Sequence, residues 1–270
     1  MSVSRPRILV GLLGVLVVLA LAVVALGPML VDAYATSRAR SELGARGVEC
    51  DERFSVDVST MLASATVTPT RCTVAEGMVE SFELLDPVVM DVDRLRPSHV
   101  RAGRVRVVLR ADPPAVRSAR WGLVLQMLAI PTRLGLVVAS ASRLAGSGLP
   151  KSEVASIEIV RSEHTLLTLQ GLTADGAAPL HLHADRVELP PLAERVPDAL
   201  TGITPLDARA EITPLDATAT PKRVELEGDV VASGLVAMFG QASQRFHLSL
   251  TVEGLDGPAP TFHLRPVPGG

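Results

Sequence analysis

His181, His183 and Asp185 occupy alternate positions in the run LHLHAD. On a strand, alternate side chains share a face, so two imidazoles and a carboxylate would stand together at a spacing that suits a metal ion. Leu180, Leu182 and Ala184 form the other side of the same run, and an amphipathic strand with a solvated polar face explains all six residues without a ligand. His164, His247 and His263 occur singly in other strand-like runs. Cys50 and Cys72 are the only cysteines. Two thiolates without nearby histidines would leave a zinc ion half ligated. A disulfide is the expectation, closing a loop of about 22 residues and worth roughly 3 kcal/mol on the chain-entropy account. The other reading is a pair of small buried thiols. Asp86, Asp91 and Asp93 are close in sequence, but nothing constrains them to act as an acid–base pair. No nucleophile elbow, phosphate-binding glycine loop or zinc-hydrolase signature occurs. The expectation is a protein that is not an enzyme and carries no cofactor or metal.

The 270 residues are 47% hydrophobic, 20% charged and 3% aromatic, with 26 basic against 29 acidic side chains, a net charge of −3. Phosphate contacts need a concentrated basic surface, so nucleic acid is not an expected partner. Collagen-like, coiled-coil and wholly disordered chains are excluded by the same figures. One Trp and one Tyr leave little for stacking on sugars or bases.

Residues 8–31 carry no charge and would span roughly 36 Å as a helix, against a hydrocarbon core of about 30 Å. They are expected to form an uncleaved transmembrane anchor. Ala33-Tyr34-Ala35 has the small-x-small form of a signal-peptidase site, which keeps a cleaved leader open as the alternative. Arg5 and Arg7 favour a cytoplasmic N-terminus. The layout that follows is a tail over 1–7, an anchor over 8–31, a juxtamembrane helix over 32–47, a periplasmic β-rich domain over 48–265 and a tail over 266–270. The expected place is a cell inner membrane, crossed once.

The domain must be built mainly from strands. Period-two alternation marks runs at 54–58, 65–68, 79–85, 88–92, 100–110, 153–160, 164–170, 179–189, 206–212, 222–231, 244–253 and 261–265. These predict a mainly β fold, a curved antiparallel sheet whose aliphatic side either encloses a groove or fills an ordinary closed core. Between them, 113–146 reads as a helical insert, with Pro131 dividing helices near 114–130 and 132–145. Between Asp112 and Glu153 there is no acidic residue. Arg117, Arg120, Trp121, Arg133 and Arg143 are therefore candidates for contact with lipid or a membrane surface. The insert could equally cover one sheet face with its arginines reaching solvent, or cross the bilayer as a hairpin. The hexapeptide ITPLDA at 203–208 returns at 212–217, which suits two short strands or edge ribbons.

The phrases VRAGRVRVVLR and RVELEGDVVASGL, with the anchor and short helix before them, resemble the cofactor-free, β-rich envelope proteins of the AsmA-like superfamily and the type II secretion protein N family. The stretch from RARSELGARG to VESFELLDPVVMDVD is similar to the LmeA-like lipoglycan-maturation proteins of the mycobacterial envelope. The resemblance implies a membrane-anchored periplasmic protein that handles lipid, or assists envelope assembly, through an aliphatic groove. The alternative is a non-catalytic structural or docking subunit of a secretion or division complex. Membrane lipid is the expected partner, followed by other envelope or secretion proteins.

Overall fold

The computed structural model describes residues 31–59, 63–93, 96–110, 130–145, 150–175, 179–191, 208–234, 243–254, 261–264 and 267–268. They hold two helices, α1 over 31–44 and α2 (Ile130–Leu144). The first strands are β1 (Val48–Cys50), β2 (Val56–Val58), β3 (Ser64–Val67), β4 (Thr70–Val74), β5 (Val79–Leu84), β6 (Val88–Asp93) and β7 (Arg96–Leu109). After α2 come β8 (Lys151–Arg161), β9 (His164–Asp175), β10 (Leu180–Ala184), β11 (Arg186–Leu189), β12 (Arg209–Ala219), β13 (Arg223–Ser233), β14 (Ser243–Glu253), β15 (Thr261–Leu264) and β16 (Val267–Pro268). All sixteen belong to one sheet, whose main path runs β1-β4-β5-β7-β8-β9-β10-β12-β13-β14-β15. β11 carries on from β10 between β9 and β12, and β6, β3 and β2 branch from the first half of β7.

The sheet is mixed, which corrects the expected antiparallel one. β7 and β8 pair in parallel from His99–Lys151 to Val108–Val160, while the other pairs are antiparallel. Parallel neighbours need a crossover of a dozen residues or more. The segment between Leu109 and Lys151, which contains α2, supplies it. The helix expected near 132–145 is present as α2, and it begins beside Pro131. Pro131 is the second residue of α2, in the first turn, where a missing N–H costs no helical hydrogen bond. The other expected helix, near 114–130, lies almost wholly outside the described residues, as do Arg117, Arg120 and Trp121.

The anchor and all that rested on it are corrected as well. Among the described residues no helix is long and apolar enough to cross a membrane. The run at 8–31 lies outside them except for Val31, and 33–35 lie within α1. The polar stripe of α1 is committed to the sheet. Among the described residues β2 pairs only with β3, so its other edge needs partners. Asp32 Oδ1 accepts from Val58 N–H at 2.7 Å and Thr36 Oγ1 accepts from Val56 N–H at 2.9 Å. One turn further, Arg40 Nη2 donates to the carbonyls of Asp51, Glu52 and Phe54. On an adjacent stripe Ala35, Ala39 and Leu43 pack against Phe54, Val56 and Ala65 as a small second core. The transmembrane helix, the single-pass inner-membrane topology and the membrane-anchored periplasmic function therefore have no support in the structure.

The expected disulfide is present. Cys50 and Cys72 face each other in the β1–β4 ladder and are bonded. The ITPLDA repeat is used differently from the expectation. Its second copy runs through β12, paired with β10 and β11 on one side and β13 on the other, and a register shift between Ile212 and Leu215 accommodates Pro214. The first copy lies outside the described residues apart from Ala208.

A notch forms where β7 changes partners from β6 to β5, around Gly103 and Arg104. Asp86 fills it, accepting from Arg104 N–H at 2.8 Å and from Arg104 Nε and Nη2 at 2.9 and 3.1 Å. A Cβ at position 103 would stand 2.5 Å from that carboxylate, so only glycine leaves it room. The Arg104 side chain and backbone N–H hold the Asp86 pKa down to about 2 from 3.8. A depressed carboxylate pKa contributes stability above its unfolded value and loses it as pH falls through the folded value. The thermal midpoint is thus expected to fall between about pH 4 and pH 2. Asp86→Asn should flatten that part of the profile, and a variant as acid-sensitive as the wild type would contradict the assignment.

Candidate functional site

The inner face of the sheet is one continuous aliphatic surface, but it is not uniformly covered. On β12, β13 and β14, Ile212, Val224, Leu226, Leu248, Leu250 and Val252 are almost fully buried. Helix α2 packs on β10, β12 and β13. On β7, β8, β9 and β10 the same face carries Val107, Ile157, Ile159, Leu172 and Leu182, and these are only partly buried. The difference is a cavity of about 600 Å³.

Its wall is laid down by strand register. Val107 lies opposite Ile159, Ile157 opposite Leu169, and Leu182 between Ala174 and Ala217. Leu136, Val137, Ser140 and Leu144 of α2 line it from the helix side, at the three- and four-residue spacing that keeps one helical face turned inward. Met78 and Val79 close one end, and its polar lining is Glu76, Ser140 and Ser152, on three separate elements. Dispersed polar groups on an apolar wall can hold a hydrocarbon chain; they do not form a nucleophile–base pair.

Gly171 contributes to the shape of this wall. It sits in β9 at φ +61°, and a Cβ there would stand 1.9 Å from Asp185 Oδ2, in the residue that separates β10 from β11. The backbone conformation and the close approach both require glycine. β9 and its neighbour are therefore irregular at the same level.

The outer face is charged and self-paired. Arg106 meets Glu158, Arg186 meets Glu188 and Glu211, and Arg223 meets Glu225 and Glu253. Asp91 pairs with Arg101, and His99 lies 3.2 Å from Glu153. Asp93 ends β6 as an exposed residue. Of the carboxylates considered for acid–base work, Asp86 and Asp91 are thus each engaged by an arginine of β7, and the three do not converge.

His181, His183 and Asp185 also belong to this outer face. His183 Nδ1 is 2.7 Å from Asp216 Oδ1 and its Nε2 is 3.3 Å from Asp185 Oδ1, which raises its pKa, chiefly through Asp216. His181 Nδ1 is 3.3 Å from Thr218 Oγ1. Both ring nitrogens of His183 are taken by carboxylates, so it is a cross-strand tie. Among the described residues no group of three His, Cys, Asp or Glu side chains could hold a metal ion.

Two of the five candidate lipid-contact residues fall in α2. Arg143 is in its last turn. Arg133 is 2% exposed, turned neither to solvent nor to a membrane surface. Its Nη2 donates to the Pro190 carbonyl at 2.6 Å, and burial lowers its pKa to about 10. Sequence reasoning placed the arginine but not its burial. Groove and closed core stay undivided in the sequence, because one alternating pattern serves a closed core and an open wall alike. Comparison with known protein families, curated proteins and solved structures finds no match to this chain.

Proposed function

We propose that the protein binds a lipid-like molecule by its hydrocarbon chain, held between the inner face of the sheet and α2, and performs no covalent chemistry on it. The observation that carries this reading is the aliphatic cavity of about 600 Å³ bounded by β7 to β10 and α2. Binding sites for small molecules are concave, mostly apolar and of roughly 300–1,000 Å³. A sixteen-carbon chain with roughly 15 CH₂ groups gains about 12 kcal/mol gross at about 0.8 kcal/mol each. Immobilising a ligand costs about 4–15 kcal/mol, so an eight-carbon chain, with about half the gain, would barely bind.

The test is competition for the site by fatty acids of different length. Hexadecanoate is expected to displace a fluorescent acyl probe from the full chain, with octanoate weaker by about a hundredfold or more. Ser140 lines the cavity yet is exposed, so Ser140→Trp fills space without disturbing the buried core. That variant should lose about tenfold or more in hexadecanoate affinity with little change in thermal midpoint. Equal affinities in the wild type and Ser140→Trp would refute the site.

A further inference from the structure

The chemical class of the ligand's head can be read from the polar part of the cavity lining, an inference that rests on the proposed acyl-chain site. Ser152 is half-buried, and its Oγ already donates to the Pro150 carbonyl at 2.9 Å. Ser140 offers a single exposed hydroxyl. Glu76 is exposed and is the one charged side chain that lines the cavity among the described residues. Among those residues it makes no hydrogen bond or ion pair. The turn that carries it is pinned. Arg110 Nη2 and Nη1 donate to the carbonyls of Val74 and Ala75 at 2.6 and 3.0 Å, and Arg110 N–H donates to the Met78 carbonyl at 2.9 Å. Gly77 turns the chain at φ +100°, a conformation that glycine adopts freely. Arg110 itself does not line the cavity, and both its Nη atoms are taken by these carbonyls. The exposed end of the lining therefore presents a positioned, acceptor-only group to the ligand. Such a group attracts a head with positive charge and N–H donors, and it repels a carboxylate or a phosphate.

We propose that Glu76 selects the head of the ligand, and that the cavity takes a single-chain amphiphile with a cationic amine head in preference to one with an anionic head. The test displaces the fluorescent acyl probe from the full chain with hexadecylamine, hexadecanol and hexadecanoate, at low salt and below the concentrations at which they form micelles. The wild type should bind the amine about fivefold more tightly than the acid, with the alcohol between them, a difference of the size an exposed charge pair supplies. The gap should close in about 1 M salt, where the screening length is about 3 Å. Glu76→Gln should bring the three ligands within about twofold of one another, and Glu76→Lys should place the acid first. Position 76 is exposed, so neither substitution should move the thermal midpoint. Octanoate and hexadecanoate carry the same head, so the comparison of chain lengths is independent of Glu76.

Equal binding of amine and acid by the wild type at low salt would overturn the proposal while leaving the acyl-chain site intact. So would a Glu76→Lys variant that kept the wild-type order. Glu80→Gln separates a local effect from the overall charge of the chain, because Glu80 is an exposed carboxylate of β5 that does not line the cavity. That variant should keep the full preference for the amine. A loss as large as that of Glu76→Gln would assign the preference to net charge and overturn the role of Glu76. Failure of all three ligands on the wild type would instead remove the acyl-chain reading, and the head preference with it.

Discussion

Leu167→Ala is expected to lower the unfolding free energy by about 2–5 kcal/mol, and Leu172→Ala by distinctly less, although both remove the same atoms from β9. Leu167 is fully buried, lies opposite Ile159, and sits on a strand flanked by β8 on one side and by β10 and β11 on the other. Truncating it opens a new void in packed surroundings, so the lost transfer energy and the cavity term add. Leu172 also belongs to the inner face, opposite Val154, but it is partly exposed and already lines the cavity. Its truncation enlarges an existing space. Urea unfolding of the two variants reads the difference through the midpoint at unchanged slope. Equal losses would mean that the cavity wall is packed like the core, and the ligand site would lose its basis.

The second large effect is at the edge of the sheet. Replacing Cys50 and Cys72 together by serine is expected to cost roughly 3 kcal/mol, the value for closing a loop of this length. The bond joins β1 to β4 at one end of the main path, where β1 has no other strand neighbour among the described residues. The loop after β1 is also tied down by Asp51, whose Oδ1 accepts from Thr70 Oγ1 and from Arg53 N–H, and whose carbonyl accepts from Arg40. Loss of the bond should therefore loosen the seat of α1 as well as the edge. Reducing agent should bring the wild type down to the stability of the variant and leave the variant unchanged. A wild type insensitive to full reduction would show that the cross-link adds nothing to stability.

Much of the strand framework is legible in the sequence. The runs at 222–231 and 244–253 correspond to β13 and β14, whose alternation matches one buried side, and those at 79–85, 88–92 and 100–110 correspond to β5, β6 and β7, whose residues are mostly half-buried. β4 escaped notice because its buried positions are Thr70 and Cys72, which do not advertise a core face. The parallel pairing of β7 with β8 was hidden, since alternation says nothing about which strands become neighbours. The second ITPLDA copy, whose offset suits a short strand or an edge ribbon, runs through the interior of the sheet, with the register shift removing Pro214 from the ladder. The apolar run at 8–31 suggested a compartment and a topology, whereas the function is read from the sheet and α2. A long arginine stem can leave its head in solvent or carry it inside, and composition does not distinguish the two at Arg133.

Methyl NMR of the 28.4 kDa chain during titration with hexadecanoate tests the central claim most directly. The methyl groups of Ile157, Ile159, Leu172 and Leu182, which face the cavity, are expected to shift and saturate together at one ligand per chain. Those of Leu226, Leu248 and Leu250, buried where the inner face is closed, should stay in place. Shifts confined to residues outside the cavity, or no saturable shift at all, would contradict the claim that the open part of the sheet is a binding site.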